Sequence, residues 1–229
     1  MSELKSYKVW DRTTRVFHWI NAICFFLMVV LGVAILNRNA FDVSDQGTVL
    51  LKSLHVSVGY VLILNLLWRL IWTFIGSPFA RWAAILPGRK GYFADLKAYL
   101  SALSAGKHRQ YVGHNPIGRI SVTLLLTLLT VQATTGLVLA GTDIYFPPLG
   151  GWISEWIAAP GVNPSDVVPY LPETYDAAAY QEMRNFRSPF VEIHEINFFI
   201  LVSLAVIHII GVIFTEIREG GGLISARRK

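Results

Sequence analysis

The sequence predicts an all-α membrane protein built as a bundle of four transmembrane helices, and three observations carry that prediction. Hydrophobic residues make up 53% of the 229 and charged residues only 15%, with a mean hydropathy of +0.47. Four apolar stretches are each long enough to cross a hydrocarbon layer of roughly 30 Å as a helix. The basic residues gather in alternate connections between those stretches. Because lipid leaves no partner for an unpaired backbone polar group, apolar runs of this length are helices.

The first span is 16–36, without a formal charge, and it carries His18. Its basic lead-in resembles a signal peptide, but the run is too long for a cleaved signal and no small-residue cleavage site follows before Arg38, so it reads as a retained helix. Cys24, the single cysteine, lies inside it, which excludes an intrachain disulfide and suits a small buried apolar residue. A short polar connection, 37–50, leads to the second span, 51–75, which carries His55 and is interrupted only by Lys52 and Arg69. The connection 76–116 has Pro78, Pro87 and Gly88 as breakers. Within it Phe93, Leu96, Tyr99, Leu100 and Leu103 fall at helical spacing, predicting a short amphipathic helix on the inner membrane surface. The third span is 117–140, with Arg119 at its start. A long connection, 141–190, is net acidic and rich in Pro, Trp and Tyr. The fourth span is 191–215, with Glu192 and Glu195 at its entry and His194 and His208 inside. No internal repeat is visible, and 1–229 reads as a single membrane domain.

Charge sets the expected orientation. Lys5, Lys8, Arg12 and Arg15 precede the first span, six basic residues from Arg81 to Arg109 lie between the second and third, and Arg218, Arg227, Arg228 and Lys229 follow the fourth. The opposite side has Arg38, Lys52, Arg184 and Arg187 among most of the acids. The positive-inside rule then places both termini in the cytoplasm and 141–190 in the periplasm of a bacterial inner membrane. The basic balance is thereby explained by topology, and no nucleic-acid partner is expected, since no soluble domain gathers the charge.

Histidine is the unusual residue in these spans, because ionisable groups in lipid are costly and mark function. His194 and His208 are fourteen residues apart. Fourteen residues of helix rise about 21 Å and turn through almost four whole turns, so both imidazoles face one way at two membrane depths. Following the chain through the membrane sorts the four histidines into an inner pair, His18 with His208, and an outer pair, His55 with His194. Two histidines at each of two depths are the ligand set of two stacked bis-histidine b haems, with these four residues on the irons. Metal transport would mix carboxylates with the histidines in mid-membrane, and none is there. Packing or a proton relay is the competing account for any one histidine.

The interval recurs. Gly32 is fourteen residues after His18, and Arg69 fourteen after His55. A glycine lets a flat macrocycle approach the backbone, and Gly59, Gly136 and Gly211 are further candidates; plain helix packing is the alternative. Arg69, helped by Arg12 or Arg15, is expected to meet a propionate of the inner haem, the alternative being a side chain that reaches to the lipid headgroups. His108 and His114 fall in the connection before the third span, where solvated histidines are ordinary.

Motifs join these residues. Arg15-Val16-Phe17-His18-Trp19 resembles the R-x-x-H-W motif of the prokaryotic cytochrome b561 family, a superfamily that includes the cytochrome b subunits of nickel–iron hydrogenases and formate dehydrogenases. His55-Val56-Ser57-Val58-Gly59 followed by Arg69 resembles its second-helix pattern. Gly113-His114-Asn115-Pro116-Ile117-Gly118 and Thr135-Gly136-Leu137 resemble its third-helix region, and the His194/His208 spacing matches the fourth. The chain departs from classical uptake-hydrogenase subunits in lacking their longer second signature.

The resemblance implies electron transfer between a quinone pool and a redox protein at the periplasmic face, through two b haems. Asn115 and Gly118 resemble the element lining the quinone pocket of formate dehydrogenase cytochromes, which would make His208 a residue of two roles and His114 a proton carrier. The alternative is that Asn115 caps the helix with Pro116 at its first position. The segment 141–190, with Tyr145, Phe146, Trp152, Trp156, Tyr170 and Tyr175 and an acidic rim, is expected to dock a c-type cytochrome or a dehydrogenase- or hydrogenase-like subunit; the alternative is a lid over the outer haem. A different reading is a stand-alone quinone-linked oxidase of a small reductant such as superoxide. A more distant one is a non-redox transporter or scaffold. Membrane lipid is a partner in every case, and an oligomer is compatible with all of them.

Overall fold

The computed structural model describes residues 10–107, 111 and 113–219. His108, Arg109 and the terminal residues Lys5, Lys8, Arg227, Arg228 and Lys229 lie outside the described residues. Among those described there are seven α-helices and no strand: α1 (Arg12–Leu36), α2 (Asp45–Ile75), α3 (Trp82–Ile85), α4 (Tyr92–Ser104), α5 (Pro116–Ile144), α6 (Gly150–Ile157) and α7 (Ala177–Glu219). Four of them, α1, α2, α5 and α7, are long and apolar enough to cross a membrane, as expected.

Each of these four begins earlier than hydropathy alone predicts, because a polar side chain caps it. Asp11 Oδ1 accepts from Thr14 N at 2.7 Å, Ser44 Oγ from Gly47 N at 3.1 Å, Asn115 Oδ1 from Gly118 N at 2.7 Å, and Asp176 Oδ1 from Ala178 and Ala179 N at 3.0 and 2.9 Å. A side-chain oxygen at this position satisfies a backbone donor that the helix leaves free.

The largest departure is in 141–190. The expected fifty-residue connection is mostly helical: α5 runs on to Ile144, α6 occupies Gly150–Ile157, and α7 starts at Ala177. Pro189 reads in sequence as a helix boundary because it lacks an N–H and crowds the preceding turn, yet it lies inside α7. The Asp176 cap and three alanines start the helix upstream of it.

Packing divides the chain into two compact units. Among the described residues the first comprises 10–18, 67–107, 111, 113–128 and 200–219, and the second 19–66 and 129–199. In the first, Tyr92 OH donates to Pro116 O at 2.8 Å and Thr123 Oγ1 to Ile85 O at 3.3 Å, which ties α4 and α3 to the start of α5. The amphipathic helix thus buries Tyr92 and Tyr99 and leaves Phe93 and Leu100 exposed. In the second unit Ile153, Ile157, Val167 and Met183 form a small core on which Tyr145, Tyr175 and Tyr180 pack. Gly150 is required there, since a Cβ would lie 2.0 Å from Tyr145 O. Asn197 Nδ2 donates to Gln132 Oε1 at 2.5 Å, linking α5 to α7.

Candidate haem-ligand sites

In the second unit α2 and α7 bring His55 and His194 face to face, with ring centres 6.5 Å apart. An imidazole nitrogen bonds a first-row metal at about 2.0–2.1 Å, and its ring centre lies about 1.1 Å behind it, so two rings on one metal stand about 6.3 Å apart. The 67° between the planes is no obstacle, since each ring rotates about its own metal–nitrogen axis. His55 Nδ1 is buried without a hydrogen-bond partner.

The neighbours of His194 set its tautomer. Thr135 Oγ1 is 2.9 Å from His194 Nδ1 and within reach of Val131 O at 2.9 Å and Gln132 O at 3.2 Å. With the hydroxyl proton on either carbonyl, Oγ1 accepts from Nδ1–H and Nε2 keeps a free lone pair, the arrangement that orients a ligating imidazole. Gly136 gives the ring its room: a Cβ there would come within 3.3 Å of His194 Cε1. Gly32 lies against His55, where a Cβ would meet Cε1 at 3.6 Å, and Gly59 against Met28. Facing imidazoles, an orphaned nitrogen and glycines at the rings fit a bis-histidine haem.

In the first unit His208 on α7 lies within electrostatic range of His18 on α1. Its Nδ1 is 3.4 Å from Ser121 Oγ, and His18 is exposed. Arg69 is 4% exposed, so it does not reach out to the lipid surface. Its Nη1 donates to Ala80 O at 3.1 Å, its guanidinium stands 5.6 Å from the Phe17 ring centre, and the Asp11 carboxylate acts on it as a counter-charge. Burial opposes ionisation of Asp11, but bonds from Ser77, Thr14 and Trp72 prevail and hold its carboxyl below the usual range. Arg15 is exposed, and around Gly211 a Cβ would meet nothing within 4 Å.

His114 packs edge-on against Trp10, ring centres 4.7 Å apart, and lines a cavity with Phe79, Ala84, Arg89 and Arg119. Burial first, then the charges of Arg69, Arg119 and His208, push its pKa down to about 4. It is neutral at pH 7. Asn115 is fully engaged: Oδ1 caps α5 and Nδ2 donates to Tyr99 OH at 3.1 Å.

Ser121 is a neighbour that the sequence motifs leave out, and Thr135 enters them only within Thr135-Gly136-Leu137. They too are fourteen residues apart, so all four long helices repeat one interval: His18/Gly32, His55/Arg69, Ser121/Thr135 and His194/His208. A search for that interval on the third span finds them.

The family profile described as prokaryotic cytochrome b561 matches residues 9–226. The chain belongs to the prokaryotic cytochrome b561 family. This membrane cytochrome is accordingly b-type and multi-pass, and its role is electron transfer. Among its curated relatives, a probable Ni/Fe-hydrogenase B-type cytochrome subunit of Rhizobium leguminosarum bv. viciae is 29% identical over 169 residues, 67% of this chain and 70% of that one. A probable Ni/Fe-hydrogenase 1 B-type cytochrome subunit of Escherichia coli (strain K12) is 28% identical over 144 residues, 58% of this chain and 60% of that one. A probable Ni/Fe-hydrogenase B-type cytochrome subunit of Cupriavidus necator is 20% identical over 230 residues, 97% of this chain and 85% of that one. No solved structure matches the chain.

Proposed function

We propose that this cytochrome carries electrons across a bacterial inner membrane through two bis-histidine b haems, His18/His208 and His55/His194. It links the quinone pool to a redox protein on the side of 141–190. The observation that carries the reading is the His55/His194 pair, its rings at metal-bridging separation and one tautomer held by Thr135. Haem would be held by these four histidines and would supply reversible one-electron chemistry there.

The protein's own groups orient and tune. Thr135 holds the His194 ring. Arg69 is a buried cation in the unit of His18 and His208, and in this reading its charge faces an inner-haem propionate. The cavity at His114 and Arg119, beside the start of α5, is the proposed quinone site. A neutral His114 offers one N–H or one acceptor there, while Asn115 acts through its cap at that edge. Trp152, 72% exposed, and Trp156 and Phe186, 41% and 45% exposed, form the proposed docking surface, whereas Tyr145 and Tyr175 belong to the core beneath it. The hydrogenase-subunit names of the relatives favour a hydrogenase- or dehydrogenase-like partner over a small diffusible reductant.

Haem-to-polypeptide stoichiometry with a redox titration of the purified chain tests this. Two haems per chain with distinct potentials are expected, and one haem, or none, overturns the reading. Co-purification in mild detergent with a multisubunit dehydrogenase is expected. Rapid reduction by superoxide of a chain isolated alone would favour the oxidase instead.

A further inference from the structure

Just beyond the ligands of the second unit stands an ionic cluster with no role so far. Asp143 on α5 pairs with Lys52 of α2 at 2.5 Å and with Arg187 of α7 at 2.8 Å. Lys52 Nζ also donates to the Tyr170 hydroxyl oxygen at 2.9 Å. The side chains of Lys52, Asp143 and Arg187 are only 11%, 21% and 22% exposed. Two cations against one carboxylate leave a positive charge largely withdrawn from water, and a charge there requires a counter-ion. The Nε of Arg187 is buried and has no acceptor, so a guanidinium already spent in part on Asp143 keeps a donor unused.

Position relates the cluster to the ligands. Lys52 is three residues before His55, and Arg187 is seven before His194. Asp143 is seven after Gly136, the glycine against the His194 ring. Three and seven residues are about one and two turns, so all three groups lie on their ligands' helical faces, displaced in one direction along each helix. A haem carries two carboxylates on a single edge, and a carboxylate is the anion that an Arg N–H and a Lys ammonium recognise best.

We propose that Lys52 and Arg187 bind a propionate of the haem held by His55 and His194, with Asp143 holding the two cations in place. This rests on the two-haem reading above. The cluster then ties the haem edge, α2, α5, α7 and the Tyr170 segment into one ionic network.

The test uses the full-length cytochrome, reconstituted with haem b or with haem b dimethyl ester, whose propionates carry no charge. The spectral component lost in His194→Ala identifies the outer haem. With haem b, Arg187→Gln releases the outer haem to an apo-haemoprotein acceptor faster than the unmutated chain does and lowers the midpoint potential of that component, while the other component is unmoved. With the ester, the unmutated chain and Arg187→Gln release the outer haem at the same rate, because the anion that Arg187 holds is gone. If Arg187→Gln speeds release equally with both haems, or leaves the release of haem b unchanged, the proposal is overturned. If Arg187→Gln fails to retain haem, Arg187→Lys is expected to retain it with a smaller, ester-sensitive increase in release, and the same increase with both haems rejects the proposal. A chain that never holds a second haem sinks the two-haem reading itself, an outcome visible before any variant is compared.

Discussion

Around His194 the chain itself completes the surroundings of the ring: an acceptor at 2.9 Å whose own proton is already committed, a glycine at its back, a buried amide pair one turn further on. Around His208 the matching hydroxyl, Ser121, stands off at 3.4 Å, and its partner His18 is exposed. Among its described residues the first unit has a single buried cation, Arg69, with Asp11 and Arg119 half-buried near a neutral His114 and a cavity. One ligand pattern is therefore set in two environments: a hydroxyl against the ring and an ionic cluster one or two turns away in the second unit, a buried cation and a cavity in the first. Ligand basicity and local charge are separate means of tuning a haem, so the two sites are expected to differ in potential and in response to mutation.

The largest effects are on the ligands. His194→Ala and His208→Ala are each expected to halve the haem per polypeptide, removing different spectral components. Retention of both haems by either variant would break the pairing on which the comparison stands.

Removal of the neighbouring hydroxyls comes next. Thr135→Val leaves His194 Nδ1–H without its acceptor, and loss of such a partner weakens binding by roughly 10- to 100-fold. Ser121→Ala, acting on a 3.4 Å contact, is expected to change haem retention far less. Equal losses in a haem-transfer assay would mean that the two rings are held alike.

Glycine substitutions sharpen the contrast with opposite signs. Gly136→Ala forces a Cβ to 3.3 Å from His194 Cε1 and costs about 1 kcal/mol or more, as tight packing does. Gly211→Ala has open space around it and gains up to about 1 kcal/mol of helix propensity. Thermal denaturation of the two variants decides this. Asn115→Ala loses the α5 cap, costing about 1 kcal/mol, and in the proposed function also slows reduction by quinol at unchanged haem content. Unaltered quinol kinetics would leave Asn115 with its cap alone.

The smallest differences are in pH. His114 has a folded pKa of about 4 against an ordinary 6.5, so its unfolded form gains a proton first, and stability of the first unit falls between about pH 6.5 and 4. Asp11, held below its ordinary 3.8, adds a loss at still lower pH. In the second unit burial, then neighbouring Tyr180, raises Tyr145 and Tyr175 above the ordinary value of 10, so that unit loses stability as pH rises above 10. Hydrogen exchange across pH is expected to show an acid-labile first unit and a base-labile second; the reverse pattern would contradict these environments.

How much of this was legible in the sequence depends on the length scale of each signal. Spans, ligand histidines and family are one-dimensional patterns: a long apolar run, a fourteen-residue interval, a short motif. Any chain obeying helix geometry in lipid displays them, which is why the pairs His18/His208 and His55/His194 could be proposed from numbering alone. The interval on α5 was equally present, but serine and threonine are ordinary in membrane helices, so Ser121 carried no signal of its own and Thr135 only that of its motif. The helices' true starts depended on caps whose side chains hydropathy ignores. The Asp143 cluster gathers Lys52, Tyr170 and Arg187 from across 136 residues of sequence, and no local rule pairs groups so far apart. The sequence by itself determined which helices are long and apolar enough to cross a membrane and which of their residues share a face, because period and hydropathy are properties of a single helix. Only the tertiary structure decided which nitrogen of His194 is free and which cations converge on Asp143, because hydrogen bonds and ion pairs act over a few ångströms between helices.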